Sequence, residues 1–229
     1  MDRKIVLGIL SLSLIALAIA ILIPSGRVPD SKPTLPWQIQ IDGRGLPTVF
    51  DLTLGESTLS SAQGIFKETG DISLFATPDD HLSAEAFFER LYINGIRASM
   101  ILTLDLDQGT LSDMFDRGVR LQKLETGNRK ISLAGEDYDR LATARINHIT
   151  YVPAANLDGE LIKGRFGEPV RRIMEPETGA EHWLYPEKGL DIALNPDEKE
   201  VFQYVIPAEF DRILEPLEAA AEKSTPENQ

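Results

Sequence analysis

Three histidines and a large surplus of carboxylates are the residues of this 229-residue sequence that could do chemistry. Asp79-Asp80-His81 sets hard and borderline metal ligands side by side. Adjacent residues rarely converge on one ion without further ligands, and a polar loop after Pro78 accounts for them better. Asp105-Leu106-Asp107-Gln108-Gly109, with Asp113 and Asp116 beyond, has part of the spacing of a calcium loop. It lacks the position-5 ligand, its glycine is displaced and no glutamate closes it. Aspartate and glycine suit turns after strands, which is the simpler reading. His148 alternates within a strand pattern. His182 precedes Trp183 on another, and no serine or cysteine stands near either in an elbow pattern. Gly43-Arg44-Gly45 lacks the third glycine and the following helix of a phosphate loop. The expectation is no catalytic set, no metal and no cofactor. A hydrolase using carboxylates and a ligand-binding domain stay open as alternatives to a binding protein.

Trp183 and Tyr185 are two apart and share one strand face. They are either core or an aromatic contact patch for a partner. They are the candidate interaction residues.

Composition narrows the partners. The formal net charge is −13, and the part beyond residue 23 is more acidic still. No basic stripe is present to neutralise phosphates, so nucleic acid is not an expected partner. There is no cysteine. Disulfides, cysteine zinc sites, thiol catalysis and lipoprotein acylation are thereby excluded, and the redox compartment stays open.

The elements that would position these residues begin with an anchor. Ile5 to Ile23 is an uncharged run of 19 residues, about 28 Å as a helix and close to the thickness of a bilayer core. Ala16-Leu17-Ala18 and Ala18-Ile19-Ala20 match a signal-peptidase pattern, but the run continues past them to Ile23. An uncleaved single-pass anchor in the inner membrane is expected, with the domain in the periplasm. Arg3 and Lys4 before the run and Arg27 and Lys32 after it give only a slight charge bias. Residues 24–36 hold four prolines and read as a stiff linker.

Beyond the linker the patterns predict an α+β fold of antiparallel sheets and short helices. Residues 37–110 form a first module. Trp37–Ile41 and Thr48–Leu54 read as strands, a helix follows with Ser57 or Thr58 as cap and Gly70 as its end, and Ile72–Ala76 is a strand. Asn94-Gly95 is the strongest short hairpin signal, joining Phe87–Ile93 to Ile96–Leu106. Residues 111–145 read as a helical connector, with helices over Leu111–Leu124 and Glu136–Ala144. Residues 146–215 form a second module. Here Asn156 caps a helix that Phe166-Gly167-Glu168-Pro169 stops. Four strands follow, Val170–Met174, His182–Tyr185, Leu190–Leu194 and Val201–Ile206, then a helix from Ala208. Residues 216–229 read as a flexible acidic tail. Both modules run helix, Phe and antiparallel strands. Two tandem α-β-β-β modules, and a chance likeness between two hairpin-rich halves, both fit that order.

Residues 156–206 resemble one family. Phe166-Gly167-Glu168-Pro169, then Gly179, then His182-Trp183-Leu184-Tyr185, is similar to the SmpA/OmlA group of outer-membrane assembly lipoproteins, whose modules have the shape of β-lactamase-inhibitor-protein modules. The resemblance implies that Phe166, Gly167 and Pro169 are a structural helix stop and that Trp183 and Tyr185 lie in the middle strand. It also implies a non-enzymatic module that binds other envelope proteins. The chain departs from the family in lacking the lipobox cysteine and in having an apolar anchor instead.

Overall fold

Strict alternation of apolar and polar residues builds most of this fold. The computed structural model describes residues 35–224, which lie in one compact unit, Pro33–Gln229. The expected anchor at 5–23, most of the linker and the end of the tail lie outside the described residues. No helix among the described residues is long and apolar enough to cross a membrane.

The first elements are short strands β1 (Gln40–Ile41), β2 (Pro47–Val49) and β3 (Leu52–Thr53), which form a small antiparallel sheet. The expected strand Thr48–Leu54 is therefore a hairpin. Phe50 and Asp51 turn it with φ of 55° and 66°, and the turn drops Val49, Phe50, Leu52 and Leu54 into the core. Helix α1 (Leu59–Phe66) is capped by Thr58, whose side chain accepts from the Ser61 amide. It stops at Lys67 in the left-handed conformation, before the expected Gly70.

Strands β4 (Asp71–Ala76), β5 (Leu82–Ile93) and β6 (Ile96–Asp105) follow as a meander. The β5–β6 turn is Asn94-Gly95, both with positive φ, as a two-residue hairpin requires. A bulge between Phe88 and Leu91 restores the inward alternation.

The connector differs from expectation. Helix α2 spans only Gln108–Asp116. The rest of the expected helix is strand β7 (Arg120–Lys123), paired with β8 (Arg129–Ser132). Gly118 explains the break. A Cβ there would lie 2.3 Å from Ile131 Cγ2 and 3.0 Å from the Phe115 carbonyl oxygen, so this residue must be glycine for the chain to turn against β8. Helix α3 (Asp137–Ala142) then leads to β9 (Arg145–Pro153).

In the second half, α4 (Gly159–Phe166) is capped by Asp158 rather than Asn156, because the Asp158 carboxylate reaches the Leu161 amide at 2.7 Å. Gly167 ends it at φ 86°, as its place before Glu168-Pro169 suggests. Strands β10 (Arg171–Met174), β11 (Glu181–Tyr185), β12 (Leu190–Leu194) and β13 (Val201–Val205) form a second meander. Helix α5 (Asp211–Ser224) runs through the boundary drawn at residue 216. The apolar row Phe210, Ile213 and Leu217 explains this, since packing holds what charge alone would leave loose.

All strands from β4 onward join one ten-stranded sheet in the order β10-β11-β12-β13-β9-β6-β5-β4-β8-β7. The two meanders meet at an antiparallel seam between their last strands, β9 and β13. Helices α1 to α4 and the small sheet cover one face, here the front, over a continuous apolar core. Tyr151 and Phe202 meet edge to face across the seam on that face, and Phe202 also meets Phe166 of α4, with ring centroids 5.8 and 5.7 Å apart. The linker's end is tied into this core. The buried Tyr204 hydroxyl donates to the Pro36 carbonyl at 3.0 Å, and Arg165 lies over the Trp37 ring.

The back face is covered unevenly. Helix α5 packs on the second half, over Ile173, Leu184 and Val205. The register places Phe75, Phe87, Ile101, Thr103 and Thr150 on the same face of the first half, and each keeps solvent access. Phe87 is 39% exposed. No described helix packs there.

Candidate functional site

The front end of the second meander carries a cleft. Met174, Glu181 and Leu194 stand opposite one another across β10, β11 and β12 and form its floor. The loop Asn156-Leu157-Asp158-Gly159 makes one wall, and the turn from Asn195 to Glu200 makes the other. The cavity is about 560 Å³. Lys199 of the turn donates to the Ala154 carbonyl and to the Asn156 side chain, so it ties the two walls together.

Four carboxylates line this cleft, Asp158, Glu181, Glu198 and Glu200, with Leu157, Met174, Leu194 and Pro196 between them. Two already have roles. Asp158 caps α4, and Glu181 accepts from the Trp183 indole at 2.7 Å. Glu200 is different. It is only 8% exposed, and its Oε2 has no hydrogen-bond partner among the described residues.

Trp183 stands beside the cleft, against Gly159 and Glu181, whereas Tyr185 lies at the other end of β11, and both are buried. They are 6% and 3% exposed. Trp183 lies under Gly159, whose Cβ position would be 3.1 Å from the ring, and Arg172 covers the ring from 4.2 Å. The Tyr185 hydroxyl donates to the Gly167 carbonyl at 2.9 Å. Both rings serve core packing, because α4 closes over the strand face that carries them. Phe166 packs against Tyr185 at 6.2 Å between centroids, so the helix stop and the aromatic strand form one structural unit.

On the opposite face of β11 and β12 a buried polar cluster had no sequence signal assigned to it. His182 Nδ1 is 2.8 Å from Asp191 Oδ2. Gln203 donates to the same oxygen at 3.0 Å, and Glu175 Oε2 is 3.8 Å from His182 Nε2. Burial opposes the His182 charge, but the hydrogen bond and charge of Asp191, helped by Glu175, outweigh it and raise the pKa. The hairpin register was the available signal. Pairing Tyr185 with Leu190 puts Leu184 opposite Asp191, which brings His182 diagonally beside that aspartate. The Thr178 hydroxyl donates to the same Glu175 oxygen, and the contacts of His182 with Asp191 are those of a structural ion pair.

His148 sits on the back face of β9, opposite Thr103 and Val205. Its Nε2 is buried without a partner. Burial, with the charge of Arg212, pushes its pKa down to about 4. The unfolded chain therefore binds a proton that the folded chain refuses between pH 6.5 and about 4. His148 contributes stability above pH 6.5 and loses it as the pH falls through that window, about 3 kcal/mol in all at 1.36 kcal/mol per unit. Denaturant melts at pH 7 and pH 4.5 should show this loss in the wild type and a smaller one in His148→Thr.

Two of the sequence's other candidate ligands have partners of their own. Asp80 pairs with Arg129. Asp107 caps α2 through the Thr110 amide at 2.9 Å. No group of metal-ligating residues gathers among the described residues. No protein-family model, curated protein or solved structure matches this chain.

Proposed function

We propose that this is a non-enzymatic protein-binding module of the cell envelope, held at the inner membrane by residues 5–23 with its domain in the periplasm. Its two meanders read as tandem modules, α1 with β4, β5, β6 and β9, and α4 with β10 to β13. The resemblance of residues 156–206 to the SmpA/OmlA modules supports the same reading.

One observation carries it, the unequal cover of the back face. On the second half the chain lays Phe210 and its own amphipathic helix, through Ile213 and Leu217, over Ile173, Leu184 and Val205. The first half offers Phe75, Phe87 and Ile101 on the corresponding face with no described helix over them. A depression of about 540 Å³ lined by Phe87 and Arg90 adjoins this surface. A partner presenting an amphipathic helix would complete the first half as α5 completes the second.

A photo-crosslinking residue at Ile101 in intact cells tests the proposal. A discrete heterologous adduct is expected from Ile101 and not from the exposed Val119. Phe87→Glu should reduce it at least tenfold. The absence of an adduct, or an adduct with a second copy of this chain, counts against the reading.

The four carboxylates of the cleft favour a second reading, a periplasmic hydrolase. Two of them would have to converge on one scissile bond, and Asp158 and Glu181 are already held by the α4 amide and the Trp183 indole.

A further inference from the structure

The cleft on the front of β10 to β12 holds a buried carboxylate that the fold does not satisfy. Glu200 is more than nine-tenths buried, and its Oε2 has no hydrogen-bond partner among the described residues. Leaving a buried carboxylate oxygen unpaired is costly. No lysine or arginine lines the cavity, whereas Glu198, Glu181 and Asp158 all do. Lys199, next in sequence, is bonded to the Ala154 carbonyl and the Asn156 side chain at the cleft's wall, and Arg172 lies 3.7 Å from Glu181. Four carboxylates against these two flanking cations leave the cleft net negative.

The apolar lining narrows the ligand. Leu157, Met174, Leu194 and Pro196 flank the acids, and Met174 is 54% exposed with nothing polar to do. A bare metal ion has no use for these side chains, and no metal-ligating group gathers among the described residues. A cation carried on an aliphatic stem uses both parts, with its head on Glu200 and Glu198 and its stem along the apolar wall. The cavity of about 560 Å³ has room for such a chain.

We infer that this cleft binds an alkylammonium or guanidinium group on an aliphatic stem, either a lysine or arginine side chain of a partner or a free amine of the same chemistry. The site lies on the face opposite the open sheet surface, so it stands independently of the helix-docking reading.

The test is a titration of the full-length chain in zwitterionic detergent, followed by the NMR signals of the Trp183 indole and the Gly159 and Gly179 amides. The probes are cadaverine, arginine, the blocked tripeptide acetyl-Ala-Lys-Ala-amide, and 1-pentanol as the uncharged control. Saturable shifts with the cations and none with 1-pentanol are expected. Glu200→Gln should weaken binding at least tenfold, and the exposed Glu198→Gln about threefold. The Trp183 signal of the unliganded variants reports that they are folded. Tighter binding of the tripeptide assigns the site to a protein side chain, and tighter binding of cadaverine assigns it to a free amine. Either supports the inference. Equal binding by wild type and Glu200→Gln overturns it, as does no binding, the same shifts with calcium or magnesium alone, or hydrolysis of the tripeptide.

Discussion

Asp191→Ala is expected to lower the stability of this protein by about 3–5 kcal/mol. Asp191 is 0% exposed, and its Oδ2 accepts from both His182 and Gln203. Removing it leaves a buried imidazole and a half-buried amide without their acceptor, the costly half of breaking an ion pair. The pH dependence identifies the mechanism. In the wild type the His182 pKa is raised above its ordinary 6.5. Its contribution is therefore complete below pH 6.5 and is lost as the pH rises through the folded-state value. Without Asp191, burial is the first cause acting on the imidazole, and its direction is downward. The His182 contribution should then reverse sign and grow as the pH rises toward 6.5. Urea melts from pH 5 to pH 9 would show the reversal. An unchanged pH profile in Asp191→Ala would refute the pairing. Asp191→Asn keeps the shape and one acceptor while removing the charge, so it should cost less and give an intermediate profile.

Phe202→Ala is expected to destabilise by about 3–5 kcal/mol through the cavity it opens. Phe202 is 0% exposed on β13, the strand that joins the halves. Its ring contacts Tyr151 across the seam and Phe166 on α4. The loss therefore falls on the strand pairing that joins the two meanders and on the helix over the second. Chemical denaturation should give a lower midpoint, and hydrogen exchange should show β9 and β13 losing protection together. Loss of protection in β13 alone would mean that the halves do not depend on one another through this ring. Phe202→Leu, which keeps most of the volume, should recover a large part of the stability.

The two histidines act in opposite directions. His148 withdraws stability as the pH falls below 6.5, and His182 withdraws it as the pH rises from 6.5 through its own raised value. Both lie on the back face of the sheet, His148 near Arg212 of α5 and His182 beside Ile173, which α5 covers. The docking of that helix should therefore be firmest near neutral pH.

Local chemistry made much of the fold legible in the sequence. Asn94-Gly95 specified the β5–β6 turn because a two-residue hairpin needs positive φ at both positions. Phe166-Gly167-Glu168-Pro169 marked the end of α4 because glycine takes the positive φ of 86° there and proline cannot continue a helix. The second meander was legible strand by strand, since alternation fixes which residues share a face. Where local signals competed, the reading failed. Leu121 belongs to an apolar pattern at helical spacing, yet it lies on an edge strand, because the contact of Gly118 with Ile131 turns the chain. Asn156 and Asp158 are both good caps, and only the position of the Leu161 amide chose between them.

Tertiary structure alone decided what covers each face and which strands become neighbours. Alternation placed Trp183 and Tyr185 together but could not show that α4 closes over them. It placed His182 on the other face but could not show that β12 brings Asp191 within 2.8 Å. Pairing between β13 and β9 joins residues some fifty positions apart, and no local period encodes such a contact. The cleft around Glu200 arises in the same way, since its floor comes from three strands and its walls from two loops. An acidic sequence shows that carboxylates are plentiful. Only the folded chain shows that one of them is buried with an unpaired oxygen beside an apolar wall.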